Sequence, residues 1–198
     1  MRRLWPCRAR PDAASWAWLP LVALVALGCT SVGKAPEPKE CDAECQDRVA
    51  VRALREAMKL VYNLKLQGEP VGAQDASTDC PQGGSARVFG YASSNELQGA
   101  TEVELTYTFS TCSYQRVDET AEENYDITVK GSVAQTGTLA VQPTATTALI
   151  LSSDEVSIEG SLYDPALDYR AEACQVELAQ DGNELFGTLC GRPVGVDL

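Results

Sequence analysis

The chain contains no histidine in 198 residues. This excludes every Ser-His-Asp and Cys-His catalytic arrangement and every metal centre ligated by imidazole. Phosphate-cradling loops are missing as well: the glycines of Gly187-x-x-x-Gly191 lack the Lys and the following helix that such a cradle needs. Positive charge is scarce, with 16 Lys and Arg against 28 Asp and Glu and a net charge of −12. A field of that sign repels phosphate, so neither nucleic acid nor an anionic headgroup is an expected partner. No internal repeat is present beyond a rhythm of short strands. An apolar stretch, Ala13 to Leu27, is interrupted only by Ser15 and Pro20, but its 15 residues fall short of the roughly 20 that span a bilayer as a helix.

What surrounds that stretch gives it a meaning. Arg2, Arg3, Arg8 and Arg10 precede it, and a small residue, a cysteine and a Pro-containing polar tract follow, which is the anatomy of a secretory signal peptide. The ending Val25-Ala26-Leu27-Gly28-Cys29 resembles the lipobox of bacterial lipoproteins, with Ala26 where Leu is commonest. The resemblance implies lipid on the Cys29 thiol and removal of residues 1–28. Two or more acyl chains, at about 0.8 kcal/mol per buried methylene, make a stable membrane anchor. The expected localisation is therefore the bacterial cell envelope. Thr30 follows the cysteine where enteric inner-membrane lipoproteins often carry Asp, which turns the expectation towards the outer membrane. Residues 29–40, with Pro36 and Pro38 among polar neighbours, read as an extended tether, and residues 41–198 as one domain. Without the leader the chain keeps 12 basic and 27 acidic residues, a net charge of −15.

Of eight cysteines, Cys7 leaves with the leader and Cys29 takes lipid, so six remain: Cys41, Cys45, Cys80, Cys112, Cys174 and Cys190. An even number in an exported chain implies disulfides. Cys41-x-x-x-Cys45 has no further Cys or His close by, unlike the ligand sets of zinc sites. Cys80 and Cys112 are equidistant from Glu96, the middle of an expected turn, and Cys174 and Cys190 from Gly182, so each pair is expected across a hairpin. For the second hairpin two registers compete. A two-residue Asp181-Gly182 turn sets Val176 opposite Gly187 and Leu178 opposite Leu185, but leaves Cys190 on the other side. A three-residue loop brings Cys174 to Cys190 and Phe186 beside Leu178, and is the register we favour. Cys41 and Cys45 remain. One turn apart inside a helix, their Cβ atoms lie about 5 to 6 Å apart, too far for a disulfide. They pair only if Cys41 precedes the first turn; otherwise one of them reaches Cys80 or Cys112.

Periodicity supplies the fold class. From Asp42 to Gln67, Ala50, Ala53, Leu54, Ala57, Met58, Val61 and Leu64 recur at helical spacing, with Asp42, Glu44 and Asp47 early, Lys59 and Lys65 late, and Gly68 as a stop. Glu69 to Gly84 reads as a loop. The period then drops to two: Val103, Leu105, Tyr107 and Phe109 alternate with Glu102, Glu104, Thr106 and Thr108. Further strands are expected at Ala86 to Tyr91, Tyr125 to Val133, Thr138 to Val141, Thr147 to Ser152, Glu155 to Leu162, Tyr169 to Ala179 and Glu184 to Leu189. Short connections without helices between them imply antiparallel neighbours. The expectation is an α+β domain, one N-terminal helix packed on an antiparallel β-meander of about seven or eight strands, as a twisted sheet or partial barrel.

The segment "CPQGGSARVFGYA…TYTFSTC", Cys80 to Cys112, resembles segments of exported bacterial lipoproteins in which Cys-Pro-x-Gly-Gly opens a strand, and "GTLCGR", Gly187 to Arg192, has a similar look. The resemblance carries no activity and implies only class and compartment. Carboxylate chemistry is what remains. Asp118, Glu119, Glu122, Glu123 and Asp126 form an acidic loop with the oxygen ligands calcium takes, though without the glycine-punctuated spacing of a calcium loop. Asp164 and Asp168 flank a Pro-containing turn and form a candidate acid/base pair. No cofactor is expected. Two functions stay open: a non-enzymatic, lipid-anchored envelope protein that binds an apolar small ligand or another envelope component or serves a structural surface role, and a carboxylate-based hydrolase of envelope polysaccharide. Two carboxyls converging in a cleft about 5 to 10 Å apart would favour the second.

Overall fold

The computed structural model describes residues 40–69, 71–95, 99–142 and 145–198. The expected leader, Cys29 and all of the tether but residue 40 lie outside the described residues. Helix α1 spans Ala43–Lys65, capped by the Asp42 carboxylate, which accepts from the Cys45 N–H at 2.9 Å. Its end is the expected one: the Leu66 N–H donates to the Tyr62 carbonyl, and Gly68, at φ +84°, turns the chain away. The helix buries more than one stripe. Val49, Ala50, Val51, Ala53, Leu54, Ala57, Met58 and Val61 are all buried, whereas Leu64, expected among them, is 53% exposed. Asn63 and Leu64 face solvent in the last turn, and Leu66 just beyond it turns inward instead.

Eight strands follow in an antiparallel meander: β1 Gly72–Asp79, β2 Ser85–Asn95, β3 Ala100–Arg116, β4 Tyr125–Ala140, β5 Ala148–Leu162, β6 Leu167–Asp181, β7 Glu184–Leu189 and β8 Arg192–Asp197. Each pairs with its neighbours in sequence, and the sheet does not close into a barrel. The helix touches both edge strands, β1 and β8, as well as β2, β4 and β5. The sheet therefore curls around the helix, which explains why so much of the helix circumference is buried. Val103, Leu105, Tyr107 and Phe109 point inward as their alternation requires.

The strand count agrees with expectation although the strands themselves differ. Tyr125 to Val133 and Thr138 to Val141 belong to one strand, β4, and Thr147 to Ser152 and Glu155 to Leu162 to another, β5. Bulges at Gly131/Ala134 and Ser153/Val156 interrupt the pairing there, and buried polar residues, Gln135 and Ser153, stand at inward positions where an apolar residue would have kept the period. Conversely, β1 lies inside the expected loop. It is an edge strand whose inward-leaning side chains are Gln74, Ala76 and Thr78, so it carries no apolar signal. At the opposite edge, β8 tolerates Pro193 because an edge strand leaves one row of N–H positions unpaired.

Three disulfides join Cys41 to Cys45, Cys80 to Cys112 and Cys174 to Cys190, with Cα–Cα distances of 5.1, 5.4 and 4.6 Å. Cys41 lies ahead of the first helical turn, the condition under which the closest pair can form. The Cys80-Pro-x-Gly-Gly motif is the β1–β2 turn: the Gly83 N–H donates to the Cys80 carbonyl, and the turn bonds Ser113 beyond the β3 bulge. Gly84, at φ +75°, has no alternative, since a Cβ there would stand 1.9 Å from the Thr111 carbonyl oxygen.

The β6–β7 hairpin departs from both anticipated registers. Asp181 pairs with Glu184 across a two-residue turn, Gly182-Asn183, so that Leu178 faces Gly187, Val176 faces Leu189 and Gln180 faces Leu185. The favoured three-residue loop is thus incorrect, and Phe186 does not join the core beside Leu178; it sits opposite Ala179 and is 49% exposed. Cys190 reaches Cys174 by a different device. It adopts φ +52° in the β7–β8 turn while Ala173 adopts φ +49° beside Cys174. The register is slipped by two residues from that of the Asp181-Gly182 turn, so the Cys190 N–H donates to the Gln175 carbonyl beside Cys174, and backbone conformations that L-residues rarely take accompany the pairing.

Polar contacts also fasten the helix to the sheet. The Tyr114 hydroxyl donates to the Ala53 carbonyl, with the Tyr114 ring edge-on to Tyr125 at 5.6 Å. Asp47, buried in the first half of the helix, accepts from the Tyr169 hydroxyl at 2.8 Å and from Arg192 through Nε and Nη2 at 2.7 and 2.8 Å. The arginine that ends the "GTLCGR" segment thus closes a carboxylate clamp onto the helix.

Candidate functional site

The C-terminal half of α1 does not lie flush on the sheet. Between Arg55, Tyr62 and Leu66 on the helix side and Tyr107, Gln135, Leu139 and Gln180 on the inner face of β3, β4 and β6 is a cleft of about 570 Å³. That volume is in the range of small-molecule sites. Leu66, Val71, Ala92, Leu139 and Val141 supply apolar wall, and Glu56, Lys59 and Glu69 supply charge.

Its polar lining is unusual for a protein interior. Arg55 is 7% exposed, and among the described residues it forms no ion pair; its Nε donates to the Gln180 side-chain oxygen at 2.7 Å. Gln180 is itself oriented by donating its amide to the Gly182 carbonyl at 2.8 Å, which leaves its oxygen to face the guanidinium. Desolvation holds the Arg55 pKa below the usual arginine value, with Tyr107 and Glu56 acting in the opposite sense. Burial pushes the Tyr107 phenol far above its usual range and raises that of Tyr62. The Tyr107 hydroxyl and the Gln135 carbonyl oxygen are buried without a hydrogen-bond partner among the described residues. Such atoms cost about 1 to 3 kcal/mol each when left unmade, and a buried cation without a counter-charge costs more. A third orphan, Arg52 Nε, lies elsewhere: that guanidinium bonds the Asp197 carbonyl and approaches Glu123 at 3.8 Å.

The acidic loop is organised differently from a calcium site. Asp118 and Glu123 both pair with Arg116, and hydrogen bonds from Arg116 hold the Asp118 carboxyl below the usual range. Asn124 ties the loop together through the Asp118 and Thr120 backbone. Glu119 is exposed, Glu122 half-buried, and Asp126 has moved onto β4. Among the described residues no group of three or more His, Cys, Asp or Glu is placed to hold a metal ion. Asp164 lies in the β5–β6 turn and Asp168 on β6, both exposed and neither in the interior cleft; Asp168 instead borders a shallow outer hollow with Asp126 and Glu159.

Arg55, Gln135 and Gln180 were missed by sequence reasoning, yet each leaves a trace. Gln180 extends the parity of Val176 and Leu178, Gln135 that of Val133, and Arg55 stands one helical turn from Val51 and Met58. A polar residue at an inward position is the signal. Compared with known protein families, curated proteins and solved structures, the chain matches none.

Proposed function

We propose that this chain is a non-enzymatic binding protein of the bacterial cell envelope, tethered to the outer membrane by lipid on Cys29, whose domain receives a small ligand in the cleft between α1 and the sheet. The observation that carries the reading is the 570 Å³ cleft with Arg55, Tyr107 and Gln135 buried at its lining, the Tyr107 hydroxyl and the Gln135 oxygen without a hydrogen-bond partner and Arg55 without an ion pair among the described residues. A bound molecule would supply what these groups lack. The polar lining refines the expected ligand: its body is apolar, its head is not. The compartment is supported by the pairing of all six domain cysteines, which belongs to an oxidising environment. No helix among the described residues is long and apolar enough to cross a membrane; in this reading Cys29 carries the attachment.

Two measurements test the two halves. Cys29→Ser should move the protein from the membrane fraction to the soluble fraction; retention after a salt wash contradicts the anchor. Titrating an organic extract of the native envelope into the isotope-labelled Cys29→Ser chain should shift the side-chain amide signals of Gln135 and Gln180. An extract that leaves both in place contradicts the cleft.

A further inference from the structure

The chemistry of the ligand head follows from one residue, and this inference rests on the cleft being a binding site. Arg55 is permanently charged and its only hydrogen bond among the described residues is from Nε to a neutral amide. Its two terminal nitrogens, four of its five donors, have no protein acceptor there. The nearby charges do not replace one: Glu56 is engaged with Lys59 at 3.4 Å, and Glu69 belongs to the rim. Arg52, Arg116 and Arg192 each have a carboxylate partner, so Arg55 is an exception among the arginines of this fold.

We propose that the cleft takes an aliphatic monocarboxylate, its head paired with the Arg55 guanidinium and its chain lying along Leu66, Leu139 and Val141. A guanidinium presents two parallel N–H groups that match the two oxygens of a carboxylate. Among the described residues one guanidinium lines the cleft, and the other cation there, Lys59, is paired with Glu56 at 3.4 Å, which suits a single negative charge better than a phosphate ester. The Tyr107 hydroxyl, which lines the same cleft and is buried without a partner among the described residues, is the second donor for the same head. Leu66 and Leu139 form wall beyond the polar lining, so affinity should rise with chain length.

Calorimetry on the Cys29→Ser chain, with saturated carboxylates from butanoate to dodecanoate and the matching primary alcohols at pH 7, tests this. The longer carboxylates should bind at least about tenfold more tightly than their alcohols, the factor expected for one charge-assisted hydrogen-bond pair. Arg55→Gln should erase that preference while leaving alcohol affinity in place, and Arg55→Lys should restore part of it. Should Arg55→Gln fail to fold, the Arg55 Nε–H signal of the unsubstituted side chain should still shift with decanoate and not with decanol. Equal affinity for acid and alcohol overturns the carboxylate inference and leaves the cleft standing. Binding of neither, with Gln135 and Gln180 also unmoved by the envelope extract, overturns both.

Discussion

Asp47 shows how single residues decide this fold. Its carboxylate sits inside the protein because three donors, from Tyr169 and Arg192, replace the water it lost. Asp47→Ala leaves the Tyr169 hydroxyl buried without its acceptor, and should destabilise the protein by about 2 to 3 kcal/mol; a lowered urea midpoint with an unchanged slope would register this. Four buried tyrosines set the alkaline limit. Burial raises the phenols of Tyr107, Tyr114, Tyr125 and Tyr169 above the value of about 10 that they have in an unfolded chain. Above that pH the unfolded chain releases protons that the folded chain retains, so stability is full below pH 10 and falls as pH rises beyond it. With no histidine and the domain cysteines in disulfides, the urea midpoint should stay nearly level between about pH 6 and 9 and then drop. A midpoint level through pH 11 would contradict the burial of these phenols.

The elements divide by whether their burial is periodic. Helix α1 and strand β3 were legible because Leu54, Met58 and Val61, or Val103, Leu105 and Tyr107, repeat with the period of their backbone. Strand β1 was not, because an edge built of Gln74, Ala76 and Thr78 buries too little to leave a pattern. The β6–β7 register was misjudged because the cysteine pair was taken to require a three-residue loop, whereas a two-residue Gly182-Asn183 turn, with positive φ at Ala173 and Cys190, also brings the pair together. The break in period at Gln135 had a further meaning: the inward polar residue that obscured β4 lines the cleft together with Gln180. A paired test separates the helix faces. Leu54→Asp forces a charge among buried neighbours and should cost about 4 kcal/mol, while Leu64→Asp, on the exposed last turn, should stay within about 0.5 kcal/mol. Equal shifts in melting temperature would show that the helix docks otherwise.

At the scale of the whole molecule, an open eight-stranded sheet wraps one helix, and three short-range disulfides reinforce the turns and the helix start rather than bridging distant parts. Neither Cys174–Cys190 nor Cys80–Cys112 crosses the helix–sheet seam, at one end of which the cleft lies. The strong negative charge, −12 over the 198 residues, disfavours self-association and makes the buried Arg55 a local exception to the general field. The account's central claim is that this cleft is occupied in the envelope. Native mass spectrometry of the protein taken gently from its own membrane tests it most directly: the account predicts a discrete mass above that of the lipidated chain, lost on mild activation and absent from Arg55→Gln. A protein that carries only its covalent lipid, with no releasable small molecule under any gentle extraction, would contradict it.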